Sequence, residues 1–408
     1  MPRIRHGRSP WLETLPRSKR PTHPRLTGAH EAQVAIVGGG LTGVMAAYAC
    51  AAAGLRPMLL ESDRLASGAT QASPGLVLAE PGSTSFVALE AVHGRRIARS
   101  LWQGARRGAL ECQAAVRRLD IRCDLTPCDG LTLARTEGEA RGLRRERAAR
   151  RAAGLDATWL TPRALGRMGI AGAGALRTRG HAHLDPVRAC DGFARAALAR
   201  GASVFEGTPV TRVRSATGGL EIVTPKGQLL VQSLVVATGE PTRVFRPLAR
   251  HLTPLETYVV VTPPLPAPVR EVMTDRTLLV QDLQDPPHRL HWLDDRIVWS
   301  GADGPRTPEK GRERVLVQRT GQLMYELSLL LEPISGIQPL FGWHAPFART
   351  SDGLPLVGPH RNYPRHLFAL GGGLNVSHAF LASRILLRHL TGALERDVEA
   401  FGFGRLLR

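Results

Sequence analysis

The chain has 408 residues, 43% hydrophobic and 22% charged, a balance that fits a folded protein large enough for two domains or one composite one. Its apolar runs fall short of the roughly 20 residues that span a bilayer, and the opening MPRIRHGRSPWLETLPRSKRP lacks the apolar core of a secretory signal. No membrane partner and a cytoplasmic location are therefore expected. The formal charge of +19 raises a nucleic-acid reading, but the excess is arginine scattered through every segment, with only Lys19, Lys226 and Lys310 beside it. It reads as solvated surface, and nucleic acid is not the expected partner.

Residues 1–30 contain Pro2, Pro10, Pro16, Pro21 and Pro24, which forbid a continuous helix. Within this irregular arm, SPWLETLP offers Trp11 and Leu12 as an anchor on the folded body, the alternative being a disordered tail. Val34 to Val37 is an apolar run suited to a buried parallel strand. Gly38, Gly40 and Gly43 follow as G-x-G-x-x-G, where the glycines allow a tight turn, close approach of backbone to a pyrophosphate, and close helix–strand packing. Leu41 to Ala53 is small and apolar, as in a helix buried on a sheet. Pro57 to Leu60 is a second strand ending at Glu61, placed about 20 residues on to accept hydrogen bonds from a ribose diol. Turn and helix N-terminus together make an anion site for a dinucleotide diphosphate. Alone they leave FAD and NAD open.

Ser67, Gly68, Ala69, Thr70, Ser73 and Gly75 then occupy a loop of small residues, longer than a nicotinamide half-domain needs and able to approach a ligand closely. Residues 84–118 read as one helix, and 119–135 as a pair of strands around Pro127 and Asp129-Gly130. Residues 137–155 read as a charged, solvated helix. Helix 187–202 leads into short strands over 203–232, then an apolar parallel strand over 233–242 with Ala237, Thr238 and Gly239 at its exit. Residues 252–301 alternate like antiparallel strands, 311–331 are helical, and 342–360 are loop and strand. The chain closes with a strand, a glycine turn at 371–373 and a long helix. Cys50, Cys112, Cys123, Cys128 and Cys190 are odd in number and contain no C-x-x-C, which argues for buried free thiols over a disulfide framework, and no metal is expected.

In order and spacing, SPWLETLP, VAIVGGGLTG with Glu61, SGAT…PG at 67–75, LDP with its Ala-rich helix, EGTPVTRV, VVATG, WHAPFARTSDGLPLVG and LFALGGGLN resemble the FAD-dependent oxidoreductases of the D-amino-acid oxidase and glycine oxidase superfamily, in its gamma-glutamylputrescine oxidoreductase-like branch. The resemblance implies an α/β fold: a Rossmann-like FAD-binding domain with a second, mainly antiparallel-sheet substrate domain (α+β), interleaved in sequence. The implied boundaries are an arm at 1–30, an FAD domain at 31–84, 140–250 and 345–408, and a substrate domain at 85–139 and 251–344.

Carried over, Gly38, Gly40 and Gly43, with Leu41 and Thr42, hold the diphosphate, and Glu61 with Ser62 holds the ribose. Ser67, Gly68, Ala69, Thr70 and Gly75 flank the ribityl chain and ring, and Val210 meets adenine. Ala237, Thr238, Gly239, Gly372, Gly373, Leu374 and Asn375 complete the cofactor site. Leu374 and Val376 stand where relatives carry glycine, so their side chains narrow or reshape the flavin contacts. Relatives with covalent flavin use a His in the small-residue loop or a Cys near the last strand. Here the loop position is Ala72 and no Cys follows Cys190, so noncovalent FAD is expected.

The implied chemistry is oxidation of the C–N bond of a small amine or amino acid to an imine, the cofactor taking the hydride. Oxygen, another acceptor, or a partner subunit of a larger dehydrogenase stays open as the electron sink, as does an FAD-dependent RNA-modifying role. Arg289, His291, His344 and Arg349 are the candidates for contacting substrate. Trp343 reads as packing, and Asp352 as fixing a turn.

Overall fold

The computed structural model describes residues 4–82, 84–273, 275–393 and 396–407. Two sheets organise them. In the first, the order is Leu356–His360, Tyr363–Leu370, Gly227–Gly239, Gly28–Val37, Pro57–Leu60 and Ser203–Phe205. Gly227–Gly239 runs parallel to both Gly28–Val37 and Tyr363–Leu370, with Val235 opposite Ile36 on one side and Leu367 on the other. A hairpin of Arg212–Ala216 and Gly219–Val223 extends from its edge.

Leu41–Ala52 buries ten of its twelve residues and packs against helices Pro186–Leu198 and Val376–Thr391. An all-round small, apolar helix suits that position between sheet and helices. Close approach is built in at Gly43, where a Cβ would lie 1.8 Å from the Gly38 carbonyl oxygen. Gly38 itself has φ of 110°, a conformation that favours glycine.

The second sheet has ten strands, in the order Arg5–His6, Phe341–Arg349, Thr253–Val261, Arg296–Pro305, Arg289–Leu293, Leu278–Gln281, Thr126–Ala134, Gly174–His183 and Leu76–Val77. Thr158–Leu160 also pairs with Gly174–His183. Helix Arg312–Leu330 packs on the Thr253–Val261 side, and its Leu316, Leu323 and Leu327 enter a core with Tyr258, Val260 and Trp299.

The arm is docked. Arg5–His6 pairs with Phe341–Gly342. Trp11 is 3% exposed and its Nε1 donates to the Ser73 carbonyl at 2.9 Å. Ser9 Oγ donates to the Gln71 carbonyl at 2.6 Å, and Thr14 Oγ1 to Asp185 Oδ2 at 2.8 Å.

Several elements differ from expectation. The helix over 84–118 is two, Phe86–His93 and Arg95–Arg118, broken at Gly94 with φ of 77°. Residues 126–134 form one strand, because Asp129-Gly130 makes a bulge against Gly174–His183. Gly130 takes no side chain there, since a Cβ would meet His181 Nε2 at 2.7 Å. All five cysteines are free and buried. Residues 227–239 are one 13-residue strand, and 342–360 hold two, Phe341–Arg349 and Leu356–His360.

The helix Glu137–Ala152 is solvated on one face only. Arg150 is buried between Glu80 and Glu146, each at 2.7 Å, and lies over the Trp102 ring at 4.1 Å. The strands at 158–160 and 174–183 belong to the second sheet, so the expected FAD-domain segment 140–250 starts too early. Alternating burial cannot reveal which sheet a strand joins.

Candidate functional site

The crevice lies where the parallel strands of the first sheet end, the usual ligand position in such sheets. After Gly28–Val37, the turn Gly38–Gly40 leads into helix Leu41–Ala52, whose N-cap Gly40 contributes no side chain. Thr70 Oγ1, from the small-residue loop, accepts from the Leu41 N–H at 3.1 Å. Glu61 accepts from the Gly39 N–H at 2.6 Å and the Asp63 N–H at 2.8 Å. That carboxylate thus braces the turn at the far end of the second strand.

A cavity of about 510 Å3 opens here, within the 300–1,000 Å3 typical of ligand pockets. Gly38, Gly40, Leu41, Thr42, Glu61 and Ser62 line one end. Ser67, Gly68, Ala69 and Thr70 form one side, Val210 and Ala237, Thr238 and Gly239 another, and Gly372, Gly373, Leu374 and Asn375 the far end. Gly43 and Gly75 stand behind this wall. At Gly75 a Cβ would lie 2.0 Å from the Leu184 carbonyl oxygen, so its role, like that of Gly43, is close packing.

The far end is a second helix start. Asn375 caps Val376–Thr391, its Oδ1 accepting from Ser377 N, Ser377 Oγ and the Leu78 N–H at 2.8–3.1 Å. Ser73 Oγ donates to the Leu374 carbonyl at 3.0 Å, joining the small-residue loop to this turn. Asn375 Nδ2 and His378 Nε2 are buried without a partner, while His378 Nδ1 and the Gly372 carbonyl are 3.0 Å apart. Burial pulls His378 down to about 4, so its ring is neutral at physiological pH.

Gly372, Gly373, Leu374, Asn375 and His378 also line a smaller adjoining cavity of about 110 Å3. Its opposite wall comes from the second sheet: Thr257, Arg289, Ser300, Asp303, Phe347 and Arg349. Arg289 Nε donates to Gln281 Oε1 at 3.3 Å, and Arg349 pairs with Asp285 at 3.3 Å. Burial lowers the Arg289 pKa, opposed by Asp303, Glu80 and Asp282.

Of the four substrate candidates, Arg289 and Arg349 come together at this cavity, whereas His291 and His344 lie outside both linings. His344 has the opposite parity to Phe347 and Arg349 on Phe341–Arg349, pairs across from Tyr258 and is influenced by Glu256. His291 is buried, its ring 4.8 Å from that of His183, and burial holds it well below its ordinary pKa. Trp343 is buried and its Nε1 donates to the Ala72 carbonyl at 2.8 Å. Asp352 accepts from Thr350 Oγ1 and the Leu354 N–H at 3.0–3.2 Å.

Sequence reasoning missed His378, Asp303, Thr257 and Phe347. His378 carried a usable signal, a polar residue in the first turn after GGGLN. Asp303 had none, because ADG reads as an ordinary turn.

A nucleotide sheet with a parallel core joined to a large, mainly antiparallel sheet, with adjoining cavities at their junction, defines a two-sheet dinucleotide-dependent enzyme. Residues 33–388 match the family described as DAO, FAD dependent oxidoreductase, and the chain belongs to it. It is 26% identical over 375 residues to gamma-glutamylputrescine oxidoreductase of Escherichia coli, covering 89% of this chain and 84% of that protein. It is 26% identical over 385 residues to glycine oxidase of Geobacillus kaustophilus, covering 90% and 93%. The crystal structure of glycine oxidase from that organism superposes with a TM-score of 0.75 at 22% identity, over 91% of this chain and 98% of that one.

The larger cavity fits FAD. It combines a turn whose Cβ-free backbone leaves room for a diphosphate, two helix starts, and unpartnered buried N–H donors at Asn375 and nitrogen at His378. Helix N-termini favour the anionic parts of such a group.

Proposed function

We propose that this enzyme oxidises the C–N bond of a small amine or amino acid to an imine. Bound FAD supplies the hydride acceptor, and the protein supplies binding, orientation and charge. The larger cavity holds it noncovalently, with the diphosphate at Gly38–Thr42, the ribose at Glu61 and the ring end beside Thr70 and Gly372–Asn375. The N-terminus of Val376–Thr391 favours negative charge developing at that end.

One observation carries the reading. The small cavity faces the same Gly372–Asn375 wall as the cofactor cavity and presents two guanidiniums, Arg289 and Arg349. Guanidinium forks match carboxylate geometry, so an amino acid's carboxylate fits there, beside the wall shared with the cofactor cavity. Relatives named glycine oxidase and gamma-glutamylputrescine oxidoreductase support amine oxidation as the reaction class.

The test is anaerobic mixing of the yellow protein with a panel of amines and amino acids. Bleaching of the long-wavelength flavin band is expected with at least one, and a panel that bleaches nothing would refute the function. Acid precipitation should leave the flavin in the supernatant.

A further inference from the structure

The small cavity carries one group with no part in holding a carboxylate. Asp303, on strand Arg296–Pro305, shares its wall with Arg289 and Arg349. Arg289 pairs across from Ser300, three residues before Asp303. Burial raises the Asp303 carboxyl, while a hydrogen bond with Thr257 and the charges of Arg289, His288 and Arg349 act in the opposite direction, so Asp303 and both guanidiniums share one weakly screened region. A site made only to grip anions gains nothing from a third, negative group, since like charges repel and a buried carboxylate is costly to hold.

Two guanidiniums alone would suit a dianion. With Asp303 among them the wall keeps one net positive charge, and Arg349 already shares part of its charge with Asp285. That arrangement complements a molecule with one carboxylate and one ammonium. Specificity of this type comes as much from repelling the wrong ligand as from holding the right one.

We infer that Asp303 sorts substrates by charge: the cavity takes a zwitterionic amino monocarboxylate, its carboxylate on the guanidiniums and its ammonium toward Asp303, and rejects dicarboxylates. This rests on the amine-oxidation reading for what enters the cavity.

Two probes built on the same dimethyl-substituted carbon test it without turnover. α-Aminoisobutyrate is a zwitterion with no hydrogen on the carbon beside its amine, and dimethylmalonate is the matching dianion. Each is titrated into FAD-loaded protein, following the perturbation of the flavin band and the rise in melting temperature. The native protein should bind α-aminoisobutyrate more tightly. Asp303→Asn should move the ratio of the two dissociation constants toward the dianion by about tenfold or more, ~1.4 kcal/mol, and Asp303→Glu should keep the native order.

Tighter binding of dimethylmalonate by the native protein, binding of neither probe, or a ratio shifted less than about twofold in Asp303→Asn overturns the inference. Should Asp303→Asn fail to fold, the native ordering and the Asp303→Glu ratio still decide. An amine panel that bleaches nothing, beside the expected probe order, would remove the oxidation and leave the charge sorting. Bleaching with a reversed order would remove the sorting alone.

Discussion

Gly43→Ala is the sharpest perturbation of the nucleotide turn. The added Cβ would sit 1.8 Å from the Gly38 carbonyl oxygen, a backbone atom with no rotamer to yield. Helix and turn must separate by roughly 1 Å or more to restore van der Waals contact, and the helix is wedged between Pro186–Leu198 and Val376–Thr391. Overpacking of this type costs about 1–3 kcal/mol, and the same shift drags the first helical turn off the diphosphate position. Gly40→Ala is the control. Its Cβ would meet only Thr70 Oγ1, at 3.1 Å, and Gly40 has an ordinary φ of −80°, so stability should stay within about 0.5 kcal/mol. Urea denaturation of cofactor-free protein reads stability, and fluorescence titration with FAD reads affinity. Gly43→Ala should lose both, whereas Gly40→Ala should lose affinity alone. A Gly43→Ala protein with native stability and stoichiometric FAD would refute the close-packing argument.

Other outcomes follow from packing and charge. Trp11→Ala removes a buried anchor, a change costing about 3–5 kcal/mol at fully packed sites, and should speed FAD release on dilution, since Trp11 holds the Ser73 carbonyl; an unchanged release rate would detach the arm from the site. Arg150→Met strands Glu80 and Glu146 in the core and should cost about 3–5 kcal/mol in urea melts; an unchanged midpoint contradicts the buried network. Acid should destabilise the protein. Burial holds His183 and His378 at about 4 in the fold, while the unfolded value is near 6.5. The unfolded chain therefore binds protons first, so stability is full above about 6.5 and declines as pH falls toward 4. Burial would raise Glu80, but Arg150, His181 and the Thr178 hydroxyl hold it low, and its contribution is lost at more acidic pH still. A melting temperature flat from about pH 7 to 4 would contradict this linkage.

The nucleotide half was legible because each of its demands is local. A buried strand, a glycine turn, an all-apolar helix and Glu61 follow one another within a few turns of chain. Around the small cavity, the information is distributed. Arg289, Asp303 and Arg349 lie on three strands, and which side chain faces the cavity depends on registers that composition does not encode. His344 illustrates this: it shares a strand with Phe347 and Arg349 and lines neither cavity. The Asp129-Gly130 pair resembled a hairpin turn, yet the ring of His181 claims the space above Gly130 and makes it a bulge. Glu146 and Arg150 looked solvated because charge on a helix normally is, and their burial is made tenable by distant partners, Glu80 for Arg150 and the Phe86 and Val87 N–H groups for Glu146.

The central strand Gly227–Gly239 has consequences for when the cofactor can load. Its neighbours come from opposite ends of the chain, Gly28–Val37 near the beginning and Tyr363–Leu370 near the end. The wall at Gly372–Asn375 is supplied later still. During synthesis, the glycine turn thus leaves the ribosome long before the residues that close the crevice over it. A nascent chain ending before Tyr363 has a diphosphate cradle and no far wall. Such long-range pairing is slow to form, so flavin capture belongs to the finished chain, and truncation at the C-terminus should yield colourless protein however intact its first half.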